Sequence, residues 1–171
     1  MALSVYTRRL RSWAYTHVPG LRQLWARTTR EVVEQQEIPW ADLRTPLRAC
    51  RVAAITTGGV HLLDQVPFNM RDPQGDPSSR IIPAGTPHSG LTITHNYYDH
   101  RDAERDLDIL FPIALLASLA ERGVIGSVAD CYSFMGHIAG AHVMTLAQRS
   151  APEVARLLKQ QQVDAVLLTP A

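Results

Sequence analysis

The chain has 171 residues, 46% of them hydrophobic and 19% charged, which places it among ordinary globular domains large enough to enclose a core. Seventeen basic residues against sixteen acidic ones leave a net charge of +1, and this excludes the electrostatic footprint of a nucleic-acid-binding or membrane-surface protein. No apolar run approaches the roughly 18 residues of a membrane span and no signal-peptide core precedes Arg8, Arg9 and Arg11; the two cysteines, far apart and in no disulfide framework, lead to the expectation of a reducing, cytoplasmic setting.

Residues 1–48 scatter Leu3, Leu10, Trp13, Leu21, Leu24, Trp25, Val32 and Val33 among charges, with Pro19-Gly20 between them. That pattern predicts two amphipathic helices joined by a turn, an N-terminal helical arm and linker ahead of a domain over 49–171. Ile38-Pro39-Trp40 marks a helix end and Pro46 the linker. The arginines of this arm are accompanied by Glu31, Glu34 and Glu37, the composition of a solvated helix face and not of a phosphate site.

From Arg51 the character changes. Val52-Ala53-Ala54-Ile55-Thr56-Thr57 is a β-branched apolar run that breaks at Gly58-Gly59, the form of a buried strand entering a glycine turn. The stretch to about residue 90 is rich in Pro, Gly, Asp and Ser and reads as a long loop, with one short strand at Arg80-Ile81-Ile82. Leu91-Thr92-Ile93-Thr94-His95 alternates as a strand does, and Leu107 to Phe111 reads as another. A helix is expected to open at Pro112, carry Leu115, Leu116 and Leu119 inward and end at Gly123. A further helix is expected over 138–148, and Ser150 with Glu153 forms a Ser-x-x-Glu capping box for a last one carrying Val154, Leu157 and Leu158. Asp164 to Ala171 then reads as a final buried strand. Helices and strands in alternation predict an α/β fold, a largely parallel sheet with flanking helices.

In such a sheet, ligands gather beyond the carboxyl ends of the strands. His61 and Asp64 follow the first strand, and His95, Asp99 and His100 follow the strand at Leu91, so these five are the candidate lining of one substrate crevice. Three imidazoles and two carboxylates also invite a metal reading, but His-x-x-x-Asp-His is no recognised ligand spacing. Hydrogen bonding that orients structure or substrate is the competing explanation. Gly58-Gly59 lacks the further glycines of a nucleotide loop and reads as a tight turn. His137, after Met135-Gly136, reads equally as an acid–base group and as a capping residue. Cys50 and Cys131 form no Cys-x-x-Cys pair, and neither has an activating neighbour in sequence.

Val52 to Phe68, Gly75-Asp76-Pro77-Ser78, Arg80 to Pro83, Leu91 to His100, Gly123 to Ser127, Tyr132 to Ile138 and Asp164 to Pro170, in that order, resemble the glycine/sarcosine/betaine reductase selenoprotein B family, which includes D-proline reductase subunits. The resemblance spans about residues 39–171. It implies reductive cleavage of a carbon–nitrogen bond in a small amino-acid-like substrate, with a selenocysteine or cysteine as nucleophile. It further implies partner reductase subunits, one of which bears a pyruvoyl group that activates the amine. No cofactor is expected within this chain itself. In the short members that the chain resembles, the Thr-Pro of the last strand is followed at once by the redox residue, in a turn opening a helix whose N-terminus favours the ionised nucleophile. The expectation is therefore a redox residue just beyond Ala171, with a UGA selenocysteine codon read as a stop. Neither Cys50 nor Cys131 matches the redox position. The alternatives are a metal-dependent hydrolase built on the His/Asp cluster, and a non-catalytic subunit.

Overall fold

The computed structural model describes residues 41–171, together with Ala14, Val18 and Gly20. The helical arm expected over 1–48 falls almost wholly outside the described residues. Two compact units are distinguished: Met1–Leu43 with Asn96–Asp99, and Arg44–His95 with His100–Ala171.

The second unit is built on β1 (Arg51–Thr56), the strand expected from the apolar run at Val52. On one side β1 pairs in parallel with β5 (Ser127–Val128) and then with β6 (Cys131–Ser133), successive pieces of one strand interrupted at Ala129-Asp130. On the other side it pairs in parallel with β7 (Ala165–Thr169), from Val52 opposite Ala165 to Thr56 opposite Thr169. β3 (Arg80–Ile82) joins β6 antiparallel. The α/β class with a mostly parallel sheet is thus observed.

Alternation along β1 sends its side chains to two faces. Ala53 and Tyr132 face the helix α4 (Ala151–Gln160), which contributes Val154 and Leu158 to a cluster completed by Phe134 and Ala129. Val154, Leu157 and Leu158 recur at helical spacing, so one stripe is apolar while Glu153, Arg156 and Lys159 face away. Truncating Leu158 in such a cluster costs about 2–5 kcal/mol. The helix closes on Gln161, whose side-chain oxygen accepts the Asp130 N–H at 3.1 Å while its amide donates to Asp130 Oδ2 and to the Tyr132 hydroxyl. On the opposite face the Thr56 hydroxyl donates to the Leu110 carbonyl, and α2 (Ile113–Glu121) buries Ile113 and Leu116.

Five expectations are corrected. Leu107–Ile109 is a 3-10 turn and not a strand, because the Asp106 carboxylate accepts the Asp108 N–H and folds the chain back locally. Ser150 caps nothing: α3 (Ala141–Thr145) runs through a π-helical stretch at Leu146–Ser150 directly into α4, so no helix start exists for the Ser-x-x-Glu pattern to cap. β7 is an edge strand and not a buried one, with Leu168 68% exposed. β4 (Leu91–Ile93) lies outside the parallel sheet and pairs antiparallel with β2 (Val60–Leu62) in a small sheet of its own. Leu115, expected to face inward, is exposed, and Leu116 alone of that pair is buried.

Candidate functional site at the strand ends

The carboxyl ends of β1, β6 and β7 meet at Thr57. Its N–H donates to the Thr169 carbonyl at 3.2 Å, and its hydroxyl accepts the Ala171 N–H at 3.0 Å. Beside it, the Gly59 N–H donates to the Phe134 carbonyl and the Thr94 N–H donates to the Gly59 carbonyl, both at 2.9 Å. Gly136, at φ +81°, brings its backbone so close that a Cβ there would lie 2.7 Å from the Thr57 carbonyl. The segments after β1, β4, β6 and β7 are therefore laced together by main-chain contacts where an α/β sheet places its ligands.

The five residues expected to line one crevice are distributed differently. His61 lies within β2 and is 2% exposed; its Nδ1 donates to the Leu62 carbonyl and its Nε2 meets the Thr94 hydroxyl, both at 2.7 Å. With Phe68 edge-on at 6.2 Å, it is a satisfied interior residue tying β2 to the end of β4. Asp64 is exposed in the turn after β2. Asp99 belongs to the unit formed with the N-terminal residues.

Of the five, His95 is the one whose ionisation the surroundings set, and both His100 and His137 bear on it electrostatically. His95 is 7% exposed and its ring hydrogen-bonds the Met135 backbone carbonyl. Burial pushes its pKa down to about 4, against the pull of that carbonyl, and the neighbouring His137 and His100 push the same way. His100 precedes α1 (Arg101–Arg105) and its Nδ1 lies 2.7 Å from Glu104 Oε1. His137 is the residue that sequence spacing undervalued: its proximity to His95 arises from the return of the chain after β6, not from any local motif. Among the described residues no group of three or more His, Cys, Asp or Glu side chains is placed to hold a metal ion.

Both thiols stand away from this place. Cys50 precedes β1 at the opposite end of the sheet, donating to the Thr45 carbonyl at 3.2 Å. Cys131 opens β6, and its sulfur accepts the Ala54 N–H at 3.2 Å. Burial raises the pKa of each, with Asp164 adding to the effect at Cys50 and Asp130 at Cys131. Neither is set up as a thiolate.

A side-chain clamp holds the loop that leads into β3. Asp76 accepts from the Asn69 N–H, the Ser78 N–H and the Ser78 hydroxyl. Burial works to raise its pKa, but these donors and Arg80 bring it below the usual carboxylate value. The Arg80 guanidinium sits 4.2 Å from the Phe68 ring centre and donates to the Val66, Pro67 and Ser79 carbonyls and the Ser78 hydroxyl. One planar fork thus fixes the loop that the sequence presents as a run of turn residues.

Among the described residues, no helix is long and apolar enough to cross a membrane. Comparison with known proteins identifies a relative and a family. The chain is 35% identical over 131 residues to D-proline reductase subunit gamma of Acetoanaerobium sticklandii, a match covering 76% of this chain and 52% of that protein. The chain therefore spans about half the length of this curated relative. No solved structure matches. Residues 26–171 match the glycine/sarcosine/betaine reductase selenoprotein B family from end to end of the described sheet, and the chain belongs to that family.

Proposed function

We propose that this chain forms the substrate-holding scaffold of a reductase that cleaves a carbon–nitrogen bond in glycine, sarcosine, betaine, D-proline or a related amino acid. The observation that carries the reading is the meeting of the carboxyl ends of β1, β6 and β7 at Thr57, next to His95 and His137, while Cys50 and Cys131 are buried elsewhere as thiols. A thiol- or selenol-dependent reaction at this place needs a nucleophile from outside residues 41–171. The expected position is just beyond Ala171, where the Thr57 hydroxyl holds the main chain against the glycine turn. A selenol is ionised at neutral pH, whereas a thiol with pKa of about 8.5 mostly is not, so selenium supplies a nucleophile without an adjacent base. A pyruvoyl group on a partner subunit would supply activation of the substrate amine.

In this scheme the chain's own residues bind and orient. His95, neutral at physiological pH, donates to the Met135 carbonyl and so fixes the segment that carries His137. Of the other candidates, Asp64 and His100 remain for the substrate crevice, and His100 is the one that bears on His95.

The experiment is twofold. The nucleotide sequence after the Ala171 codon is expected to be UGA or a cysteine codon with an in-frame continuation. The protein translated through it, combined with partner subunits and a dithiol, is expected to release amine from one of the named substrates. A different stop codon with no continuation, or no amine release from any of them, overturns the reading. The non-catalytic alternative draws on the same placement of both cysteines, and it predicts full activity of partner subunits when this chain is omitted.

A further inference from the structure

The main sheet has two very different edges. β3 closes one of them in three residues, with Arg80 at its start and the Ile81 carbonyl accepting the Gln65 side-chain amide at 2.8 Å. Short length, a charge and a side-chain cap are means by which edge strands avoid further pairing. β7 runs for five residues without a charge, and among the described residues it pairs with β1 alone. Its Val166, Leu167 and Leu168 are 39%, 42% and 68% exposed. A parallel strand that is apolar on both faces is one suited to being covered on both.

Register fixes those faces. Val166 and Leu168 lie beside Ala53 and Ile55 of β1, so they share the face that α4 covers with Val154 and Leu158, while Leu167, beside Ala54, takes the other. The cover that α4 gives stops short of Leu168. The parallel strands stand in the spatial order β6-β1-β7, which is the beginning of the doubly wound order 2-1-3-4-5, and there the next unit adds its strand beside the third. The chain passes from β6 across β1 to β7 by way of α4. A further right-handed crossover in the same direction lays its helix on the α4 face, over Val166 and Leu168. A second copy paired strand to strand meets the edge but brings no helix there, because its own α4 stops equally short.

We propose that β7 is the docking strand for a helix–strand segment following Ala171, its helix lying beside α4 over Val166 and Leu168 and its strand running parallel to β7 along the outer edge. This deepens, and rests on, the reductase reading above, in which the same segment opens with the redox residue. The relative has room for it: the match covers 52% of D-proline reductase subunit gamma, and about 30 residues are enough for such a unit. The consequence for the site is its position. The Thr57 N–H bonded to the Thr169 carbonyl, and the Thr57 hydroxyl accepting from Ala171, stand between β1 and β7, where the strand order reverses. With the segment docked, that point lies within the sheet and not at its rim.

The test compares the 171-residue chain with the protein translated through the codon after Ala171, its redox residue replaced by serine. Each carries Leu168→Cys or, as control, Leu115→Cys on α2, where Leu115 is 52% exposed, and iodoacetamide labelling is read by mass at each site. Leu168→Cys is expected to react at least about tenfold more slowly in the longer protein, and Leu115→Cys at the same rate in both. Within the longer protein alone Leu168→Cys is expected to be the slower of the two, a comparison that does not depend on how the shorter chain folds. Leu168→Asp is expected to leave the melt of the 171-residue chain unchanged and to lower that of the longer protein. Equal labelling of Leu168→Cys in the two proteins, or a neutral Leu168→Asp in both, overturns the inference. Slow labelling in the 171-residue chain also overturns it: slowing that fades on dilution assigns the edge to a second copy, and slowing at every dilution assigns it to a segment already within the chain. A reading frame that closes at Ala171 overturns it outright. Amine release from the reductase reconstituted with the native redox residue separates the two claims. Release with Leu168→Cys still reactive defeats this inference alone, while protection without release defeats the reductase reading alone.

Discussion

His95 is the residue whose ionisation is most sharply set by its surroundings. Its pKa falls from 6.5 to about 4 on folding, chiefly by burial. The unfolded chain therefore binds a proton that the folded chain refuses between those values, and stability is lost as pH drops from 6.5 toward 4. The full difference corresponds to roughly 3 kcal/mol. Denaturant melts across this window are expected to show that loss in the native chain and a flatter profile in His95→Gln. Asp72, Asp76 and Asp164 act in a separate window. Their lowered pKa values give stability that is present above about pH 4 and disappears only as pH falls through the folded values. A His95→Gln profile as steep as the native one between pH 6.5 and 4 would assign the slope to other groups. Gly75 makes the second residue-scale prediction. A side chain there meets both a left-handed φ and the His137 carbonyl, so Gly75→Ala is expected to cost about 1–3 kcal/mol in a thermal or denaturant melt. The same variant is expected to displace the His137 ring signals, whereas Gly85→Ala, with open space around it, is expected to leave them in place.

At the scale of elements, the sequence was clearest where composition and topology agree. Val52 to Thr56 is β-branched, apolar and flanked by Arg51 and Gly58, and it forms the central strand. β5 and β6 were illegible because Ser127 to Ser133 offers no apolar run: Asp130 breaks the ladder, and Tyr132 and Ser133 are buried by neighbours distant in sequence. Leu107 to Phe111 has a strand's apolarity, but Asp106 captures the local N–H and makes a turn. The capping box at Ser150 failed for a topological reason, since a π-helical stretch carries the previous helix straight through it. His61 and His95 were placed together from strand order, and their strands do pair, but in a two-stranded antiparallel sheet that turns His61 inward. The loop 66–80 shows how turn-rich sequence becomes rigid structure. Arg80→Lys keeps the charge but loses the fork that reaches three carbonyls and Ser78, so it is expected to destabilise the chain by roughly 2–3 kcal/mol. Urea melts of Arg80→Lys within about 0.5 kcal/mol of native would mean that the loop is held by Asp76 alone.

For the molecule as a whole, the decisive question is which end of the sheet carries the redox atom. Cys50 lies at the amino end of β1, hydrogen-bonded to the Thr45 and Pro46 carbonyls, and Cys131 lies inside the sheet opposite Ala54. Both are buried, and both are raised in pKa by that burial, so neither combines the exposure with the ionisation that thiolate chemistry requires. The candidate site proposed at Thr57 and His95 is at the other end. Iodoacetamide at pH 7.5 is accordingly expected to leave Cys50 and Cys131 unmodified in the folded protein and to label both once urea exposes them. In protein carrying the proposed redox residue beyond Ala171, the same treatment is expected to label that residue first and abolish amine release. Substituting Cys50→Ser and Cys131→Ala is expected to leave that activity within about twofold of native, apart from the packing cost of two small core changes. Rapid labelling of Cys131 in the folded chain, or loss of turnover in the double variant with an unchanged melt, would move the redox centre into the middle of the sheet. It would then have to work beside Tyr132 and Ala54, with its sulfur already accepting the Ala54 N–H inside the sheet.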